Sequence, residues 1–270
     1  MGTLAMNSAT GKRLLALVRE GDYAHPGEEE AIHLLLAGVR PDERRRILDA
    51  GCGGGGTAAW VQARGYGAVT GIEIDAETVR LARERHPQVE IVAGDLQRAT
   101  GVLRGPFALI YSMTALYAVP DQRAALTQLG TLAAPGAELR LLEYSDPHGR
   151  FAAATGSGSG YAWWRPLDPR RLHELLAGTG WSLAESRDLE LEFERWYVDL
   201  CARITSKREA IAGELGAAWF AFARAEYAGI LKMVRAGELG GVFVRARASE
   251  RVLPFPDPRA VTCVNAGTDP

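Results

Sequence analysis

The sequence predicts a doubly wound α/β protein with a mostly parallel sheet, and three observations support this fold class. From Ile47 to Glu143, short apolar strands alternate with helices, an order that indicates parallel strands joined by right-handed crossovers. A glycine-rich segment follows the first of these strands and precedes a helix, where such folds bind ligands. The chain has 270 residues, of which 47% are hydrophobic, enough for one large domain or two small ones.

The first half of the chain provides most of the predicted elements. Helices are predicted at residues 13–20 and 28–39, because leucine and alanine recur there at helical spacing. The acidic run Glu28–Glu30 suits the N-terminus of the second helix. The alternating part then comprises strands at 46–50, 68–74, 89–92, 107–112 and 137–143, with helices at 56–64, 76–85 and 122–133.

The second half is predicted to contain a loop, an inserted group of helices and the last strands. Residues 145–165 carry a glycine-serine run flanked by aromatic residues, which predicts a mobile loop. The elements predicted after this loop are a helix at 168–178, a strand at 181–193, a helical cap at about 195–236 that breaks near Gly213, and a strand at 241–248. The predicted regions are an N-terminal helical lid at 1–40, a main domain at 41–253 that includes the cap, and a disordered tail at 254–270.

Charge and cysteine usage narrow the possible partners. The net charge of -2 argues against nucleic acid as the main partner, because neutralising phosphates requires a concentrated basic surface. No apolar run approaches the roughly 20 residues of a membrane span, so no membrane partner is expected. Cys52, Cys201 and Cys263 are odd in number and far apart, which favours a reducing, cytoplasmic location. The histidines show no metal-ligand spacing, so no metal is expected, and the protein is expected to be a monomer or homodimer.

Acidic residues beside the glycine-rich segment indicate which ligand it binds. Asp49 lies two residues before Gly51, where a carboxylate suits a ligand with an ammonium group and would repel a pyrophosphate. Glu73 ends the second strand about 20 residues later, where an acid can accept hydrogen bonds from ribose hydroxyls, a feature shared with NAD sites. Asp95 follows the third strand and can accept from an adenine amine, while Leu96 packs on the ring.

Five motifs in order over residues 47–143 resemble those of the class I S-adenosylmethionine-dependent methyltransferases. They are ILDAGCGGG, GIEID, AGDLQ, SMTALYAVPD and LAAPGAELRLLE. The resemblance implies a seven-stranded sheet in the order 3-2-1-4-5-7-6, with the last strand antiparallel and residues 181–193 and 241–248 as the final pair. It also implies that 41–253 is the methyltransferase domain and that S-adenosyl-L-methionine is the cofactor.

The resemblance assigns roles residue by residue. Asp49, Gly51 and Gly53 are expected at the methionine end of the cofactor, Glu73 on the ribose, Ile74, Asp95 and Leu96 around the adenine, and Ser112 and Met113 near the sulfonium. The segment YAHPGEEEAI is similar to a lid in small-molecule members, which adds Tyr23 and His25 as cofactor contacts. The chain departs from many relatives at Tyr117, where they carry a histidine, so a histidine base is absent at that point.

Methyl transfer from a sulfonium is an in-line displacement that depends on alignment and on excluding water. A hydroxyl acceptor usually needs a base, for which Tyr117, His148 and Glu143 are the candidates, whereas a neutral amine needs none. The substrate candidates are Tyr161, Trp163 and Trp164 in the loop and Trp196 and Tyr197 in the cap. A large cap favours a small enclosed acceptor, with nitrogen slightly preferred over oxygen.

Two other functions stay open on the sequence alone. An NAD(P)-dependent oxidoreductase would use the same glycine fingerprint, although Asp49 and Asp95 argue against it. A non-catalytic S-adenosylmethionine-binding module has nothing in its favour and nothing against it. Ligand titration separates the first from a methyltransferase, and turnover separates the second.

Overall fold

The computed structural model describes residues 4–156 and 160–249. The strands are β1 (Arg46–Ala50), β2 (Ala68–Glu73), β3 (Glu90–Ala93), β4 (Phe107–Met113), β5 (Ala133–Ser145), β6 (Trp181–Asp188) and β7 (Gly240–Ala248). The helices are α1 (Ala9–Arg19), α2 (Glu28–Leu35), α3 (Gly56–Ala63), α4 (Ala76–Arg85), α5 (Gln122–Leu132), α6 (Phe151–Thr155), α7 (Leu172–Leu176), α8 (Glu190–Ser206), α9 (Arg208–Leu215) and α10 (Ala217–Arg235).

These strands form one sheet in the order β3-β2-β1-β4-β5-β7-β6, which confirms the predicted fold class and strand order. The five strands from β1 to β5 run parallel, while β7 pairs antiparallel with both β5 and β6. The strand order reverses between β1 and β4, so a crevice forms beyond their carboxyl ends, where α/β sheets of this kind bind ligands.

Side chains that cap helix N-termini explain where several helices begin. Asp75 accepts a hydrogen bond from the backbone N–H of Thr78 at 2.7 Å and starts α4, and Asp121 accepts from Ala124 at 2.9 Å and starts α5. Ser8 caps α1 in the same way through the N–H of Gly11, at 3.2 Å. Each cap satisfies a backbone donor that the helix itself leaves without a partner.

The sheet separates two hydrophobic cores. One core contains apolar side chains from α1 to α4 and from the helices between β6 and β7. The other core lies on the opposite face and contains the apolar sides of α5 and α7. Because Leu14, Leu15 and Val18 of α1 are at most 3% exposed, the N-terminal helix is part of the first core.

The helical insertion differs from the sequence prediction in two places. The strand predicted at 181–193 ends at Asp188, and residues from Glu190 onward belong to α8. The insertion contains three helices, with breaks at Lys207 and Gly216, whereas Gly213 lies inside α9. The predicted tail at 254–270 lies outside the described residues, as do residues 157–159 of the loop predicted to be mobile.

Gly27 joins the N-terminal segment to the insertion. It precedes α2 with φ of 81°, and a Cβ atom added there would lie 2.5 Å from the Trp196 ring of α8. Gly38 has a similar φ of 77° with nothing within 4 Å, so it serves as the matched control.

Replacing Gly27 by alanine is expected to lower the free energy of unfolding by about 1–3 kcal/mol more than replacing Gly38, because only the first change also forces an overlap. Urea unfolding of both variants measures the difference. Equal losses in the two variants would contradict the contact between Gly27 and Trp196.

Candidate active site

A cavity of about 610 Å³ opens at the carboxyl ends of the parallel strands, within the size range of small-molecule sites. Its walls come from the loops after β1 to β4, from α1 and its preceding turn, and from α10. The cavity therefore extends from the glycine-rich turn, where the cofactor is predicted to bind, to the helical insertion.

The glycine turn after β1 provides one wall. Gly51 adopts φ of 88°, and a Cβ there would lie 2.4 Å from the Cβ of Ala115, so a side chain is excluded. The backbone N–H groups of Gly51 and Cys52 both donate to the carbonyl of Ile72. Gly51 and Gly53 line the cavity, as expected from the sequence.

Glu73 lies at the centre of the hydrogen bonds around this turn. Its carboxylate accepts from the N–H of Gly53 at 3.0 Å and from the N–H of Asp75 at 3.0 Å. Lys12 of α1 places its Nζ 3.2 Å from the same carboxylate and also donates to Thr78 at 3.4 Å. Glu73 is 7% exposed, and it lines the cavity at the position expected for ribose recognition.

The next segment of the wall combines an apolar surface with a carboxylate. Ile74 is 70% exposed and lines the cavity, an arrangement that leaves an apolar surface for a flat ring to cover. Leu96 is buried beside it, and Met113 lines the cavity from the end of β4. Asp95 accepts from the N–H of Gln97 at 2.9 Å, which fixes its carboxylate at the cavity.

Asp49, assigned from the sequence to the cofactor, lies beneath the glycine turn and does not line the cavity. It is 3% exposed and accepts a hydrogen bond from the Tyr111 hydroxyl at 2.9 Å. Burial raises the pKa of Asp49 to about 7, although the Tyr111 hydrogen bond opposes this shift. The structure therefore gives it a position that supports the turn from below.

Tyr23 and His25 lie behind the glycine turn, and Ala24 between them lines the cavity instead. His25 is 3% exposed, with Nε2 2.8 Å from Thr57 Oγ1 and Nδ1 3.1 Å from the carbonyl of Pro26. Burial lowers the pKa of His25 to about 3, so the ring is neutral at ordinary pH. The Tyr23 hydroxyl donates to Glu29 at 3.2 Å. The contact between His25 and Thr57 joins the N-terminal segment to α3.

Ser112 and Glu143 form a buried pair on the opposite face of the sheet from Met113. The Ser112 hydroxyl donates to Glu143 Oε1 at 2.8 Å, and the N–H groups of Ala115 and Leu116 donate to the same oxygen at 3.1 Å each. Both side chains are fully buried and do not line the cavity. Burial raises the pKa of Glu143 to about 7, and its Oε2 has no partner among the described residues. Glu143 positions the turn after β4 and does not face an acceptor.

His148, the second candidate base, also lies away from the cavity. It is exposed in the loop after β5, where its ring lies beside Gly237. Tyr117 does line the cavity, but burial raises the pKa of its phenol above the ordinary value, which disfavours a phenolate. Of the three candidate bases, only Tyr117 lines the cavity.

The far end of the cavity is aromatic. The ring of Tyr117 lies 4.8 Å from that of Tyr144 and 4.4 Å from that of Trp164, between ring centres. Tyr227 and Glu226 of α10 complete this end. We call these five residues the aromatic end.

Trp164 is the one predicted substrate residue that lines the cavity among those that the structure describes. Tyr161 donates to the carbonyl of Glu226 at 3.2 Å, and Trp163 is 45% exposed outside. Trp196 is buried and donates to Glu30 at 3.0 Å, and the Tyr197 hydroxyl bonds that of Tyr144. Tyr197 thus contacts a lining residue from behind, whereas Trp196 packs against Gly27.

Several lining residues were not predicted from the sequence. The largest group comes from the N-terminus and comprises Met6, Asn7, Ser8, Lys12 and Leu15. No motif marks these positions, and their place depends on how α1 packs. Tyr144 and Glu226 were also missed; Tyr144 could have been found, since it follows the predicted fifth strand at the ligand-binding edge.

Within residues 4–156 and 160–249, no group of three or more metal-ligating side chains is close enough to hold a metal ion. Over the same residues, no helix is long and apolar enough to cross a membrane.

Comparison with known proteins shows the family. Residues 23–195 match the family described as "Methyltransferase domain". The trans-aconitate 2-methyltransferase of Azoarcus sp. (strain BH72) is 33% identical over 129 residues, 45% of this chain, and the chain spans about half of that relative, 49%. An O-methyltransferase of Pyrenophora dematioidea is 25% identical over 67% of this chain and 69% of its own.

The fold is shared with a solved structure as well. Phosphoethanolamine N-methyltransferase 2 of Haemonchus contortus, in complex with S-adenosyl-L-methionine, superposes with a TM-score of 0.80 at 16% identity. The superposition covers 92% of this chain and 60% of that one. The family match, which covers most of the chain, and the sheet order agree with each other. The chain therefore belongs to the class I S-adenosylmethionine-dependent methyltransferases.

Proposed function

We propose that this protein transfers the methyl group of S-adenosyl-L-methionine to a nitrogen, or to an oxygen, of a small metabolite. The observation that carries this proposal is the single cavity that joins the glycine turn and Glu73 to the aromatic end. A cofactor bound beside the glycine turn and Glu73 would present its sulfonium toward Met113, Tyr117 and Tyr144. The bound cofactor supplies an electrophilic methyl group, and the protein supplies alignment and exclusion of water.

The described side chains fit the polar groups of S-adenosylmethionine. Glu73 can accept from the ribose hydroxyls and Asp95 from the adenine amine, while Ile74 and Leu96 contact the ring. Backbone N–H groups of the glycine turn approach the methionine part without a side chain between them. Asp49 acts through the turn that it supports.

The cavity favours methyl transfer over the two alternatives. Acidic side chains predominate among the described lining residues, and Lys12 is the basic one, so a pyrophosphate or 2′-phosphate of NAD(P) would meet carboxylates. A module that only binds the cofactor would need no second compartment, whereas the aromatic end provides one. The acceptors named for the relatives include oxygen and nitrogen classes, so they leave this choice to the site itself.

The proposal predicts that S-adenosylhomocysteine binds with a micromolar-range dissociation constant while NAD does not bind, because the lining carboxylates match one ligand and repel the other. Isothermal titration calorimetry of the full chain with each ligand measures both. Binding of NAD without any signal from S-adenosylhomocysteine would overturn the proposal. A screen of small metabolites for release of S-adenosylhomocysteine would then separate an enzyme from a binding module.

A further inference from the structure

Glu226 is the acidic residue of the aromatic end. It belongs to α10, and Ile230 lies four residues later on the same side of that helix, so both reach the cavity. The Tyr161 hydroxyl donates to the backbone carbonyl of Glu226 at 3.2 Å, and the Glu226 carboxylate forms no ion pair with a basic side chain among the residues that the structure describes. The side chain is half-buried, and burial raises its pKa.

Among the described residues that line the cavity, no basic side chain forms an ion pair with this carboxylate. Lys12, the basic lining residue in the described part of the chain, contacts Glu73 and Thr78 instead. A carboxylate that is partly removed from water favours a cationic partner, since an unpaired charge in such a place is costly. The aromatic end therefore favours a positively charged ligand group and disfavours a carboxylate or phosphate.

The aromatic rings that line the cavity with Glu226 also attract a positively charged group. Tyr117, Tyr144 and Trp164 pack with their ring centres 4.4–4.8 Å apart, and Tyr227 adjoins them along the cavity wall. The face of an aromatic ring attracts an ammonium group within about 6 Å of its centre, most strongly where water is excluded. A carboxylate and several rings at one end of the cavity thus favour an amine.

We infer that the acceptor is a small amine, whose ammonium form is recognised by Glu226 and the rings of the aromatic end. This inference rests on the proposed function and names its substrate class. The ammonium first gives a proton to the Glu226 carboxylate or to water. The nitrogen lone pair then forms the bond to the methyl carbon while the carbon–sulfur bond breaks, and that electron pair remains on sulfur. The new ammonium leaves as such, or loses a second proton to solvent.

The test compares small amines with their alcohol and carboxylate counterparts of the same carbon skeleton. Release of S-adenosylhomocysteine from S-adenosylmethionine is measured with each compound, using the full chain. Calorimetry of the same compounds into protein saturated with S-adenosylhomocysteine measures binding. We expect at least one amine to bind and be methylated, while its alcohol and carboxylate counterparts are not.

Glu226→Gln tests the residue itself, because glutamine keeps the shape and removes the charge. We expect kcat/KM for the amine to fall about 10- to 100-fold, the usual effect of removing one partner of a close charge pair. Glu226→Asp is expected to recover part of this loss. The dissociation constant of S-adenosylhomocysteine should stay within about two-fold of wild type. Glu209→Gln, an exposed change in α9, is the matched control.

The possible failures are distinguishable. If S-adenosylhomocysteine itself does not bind, the proposed function fails. If it binds but the amines neither bind nor react, or if Glu226→Gln leaves amine kinetics unchanged, the inference on the substrate class is overturned while the proposed function stands. Methylation of alcohols or carboxylates in preference to amines has the same consequence.

Discussion

Replacing Glu73 by alanine is expected to weaken binding of S-adenosylhomocysteine by about 10- to 100-fold, the cost of leaving two buried hydroxyls without a charged acceptor. The change also removes the acceptor for the N–H groups of Gly53 and Asp75, so the glycine turn loses its link to the end of β2. Both losses weaken the binding of S-adenosylhomocysteine. Calorimetry of the purified variant measures the change.

Two further variants show which part of the effect belongs to the ribose. Glu73→Gln keeps an acceptor oxygen and is expected to lose less affinity than alanine. Asp95→Ala should also cost less, because an adenine amine can bond to water instead. Glu77→Ala, an exposed change on α4, is the control for general effects on that region. An unchanged dissociation constant for Glu73→Ala would show that the ribose lies elsewhere.

Stability is expected to fall as the pH rises from about 5 to about 7. Buried His25, whose pKa is lowered to about 3, opposes this fall up to its ordinary pKa of 6.5, but two buried acids, Asp49 and Glu143, outweigh it. Burial raises the pKa of each to about 7, from ordinary values of 3.8 and 4.5. Between the ordinary and the raised value, the folded state holds a proton that the unfolded state has released, so raising the pH favours unfolding. Each group contributes on the order of 3 kcal/mol, since one pKa unit corresponds to about 1.4 kcal/mol.

Glu143→Gln isolates one of these two contributions. Glutamine cannot ionise and keeps an oxygen for the hydrogen bonds from Ser112, Ala115 and Leu116. We expect Glu143→Gln to lose about 3 kcal/mol less stability than the wild type over this pH range, measured by urea unfolding at several pH values. The exposed Glu209→Gln variant should keep the full loss. A wild-type pH profile in Glu143→Gln would show that this carboxyl ionises in the folded protein as it does in water.

The sequence was sufficient for the sheet but not for the insertion, and one segment shows why. Leu189, Leu191 and Phe193 alternate with polar residues, which predicts a strand. In the structure Leu189 and Phe193 are fully buried while Leu191 is 81% exposed, so the true spacing of buried residues is four and belongs to α8. A short apolar alternation fits both periods, and packing against the sheet decides between them.

The candidate site also contains residues that could be predicted from the sequence and residues that could not. Gly51, Glu73 and Asp95 were predictable as neighbours because the carboxyl ends of parallel strands meet at one edge of the sheet. Lys12 and Glu226 come from helices far away in the chain, and their place depends on how α1 and α10 pack. Asp49, Ser112 and His25 illustrate the opposite error, since motif position does not tell whether a side chain reaches the cavity or supports it from behind.

On the proposed function, the ribose hydroxyls compete with the Lys12 ammonium group for the Glu73 carboxylate. The carboxylate expected to receive the ribose already holds an ammonium group from α1, at 3.2 Å. The measured binding free energy is therefore the free energy of the ribose contact minus that of the contact with Lys12. It is smaller in magnitude than the free energy of the ribose contact alone. The same carboxylate also helps to dock the N-terminal helix, so occupancy of the ribose position and attachment of α1 are thermodynamically linked. Substitutions in the N-terminal helix should thus change the affinity for the cofactor, although the motifs that recognise the cofactor lie elsewhere in the chain.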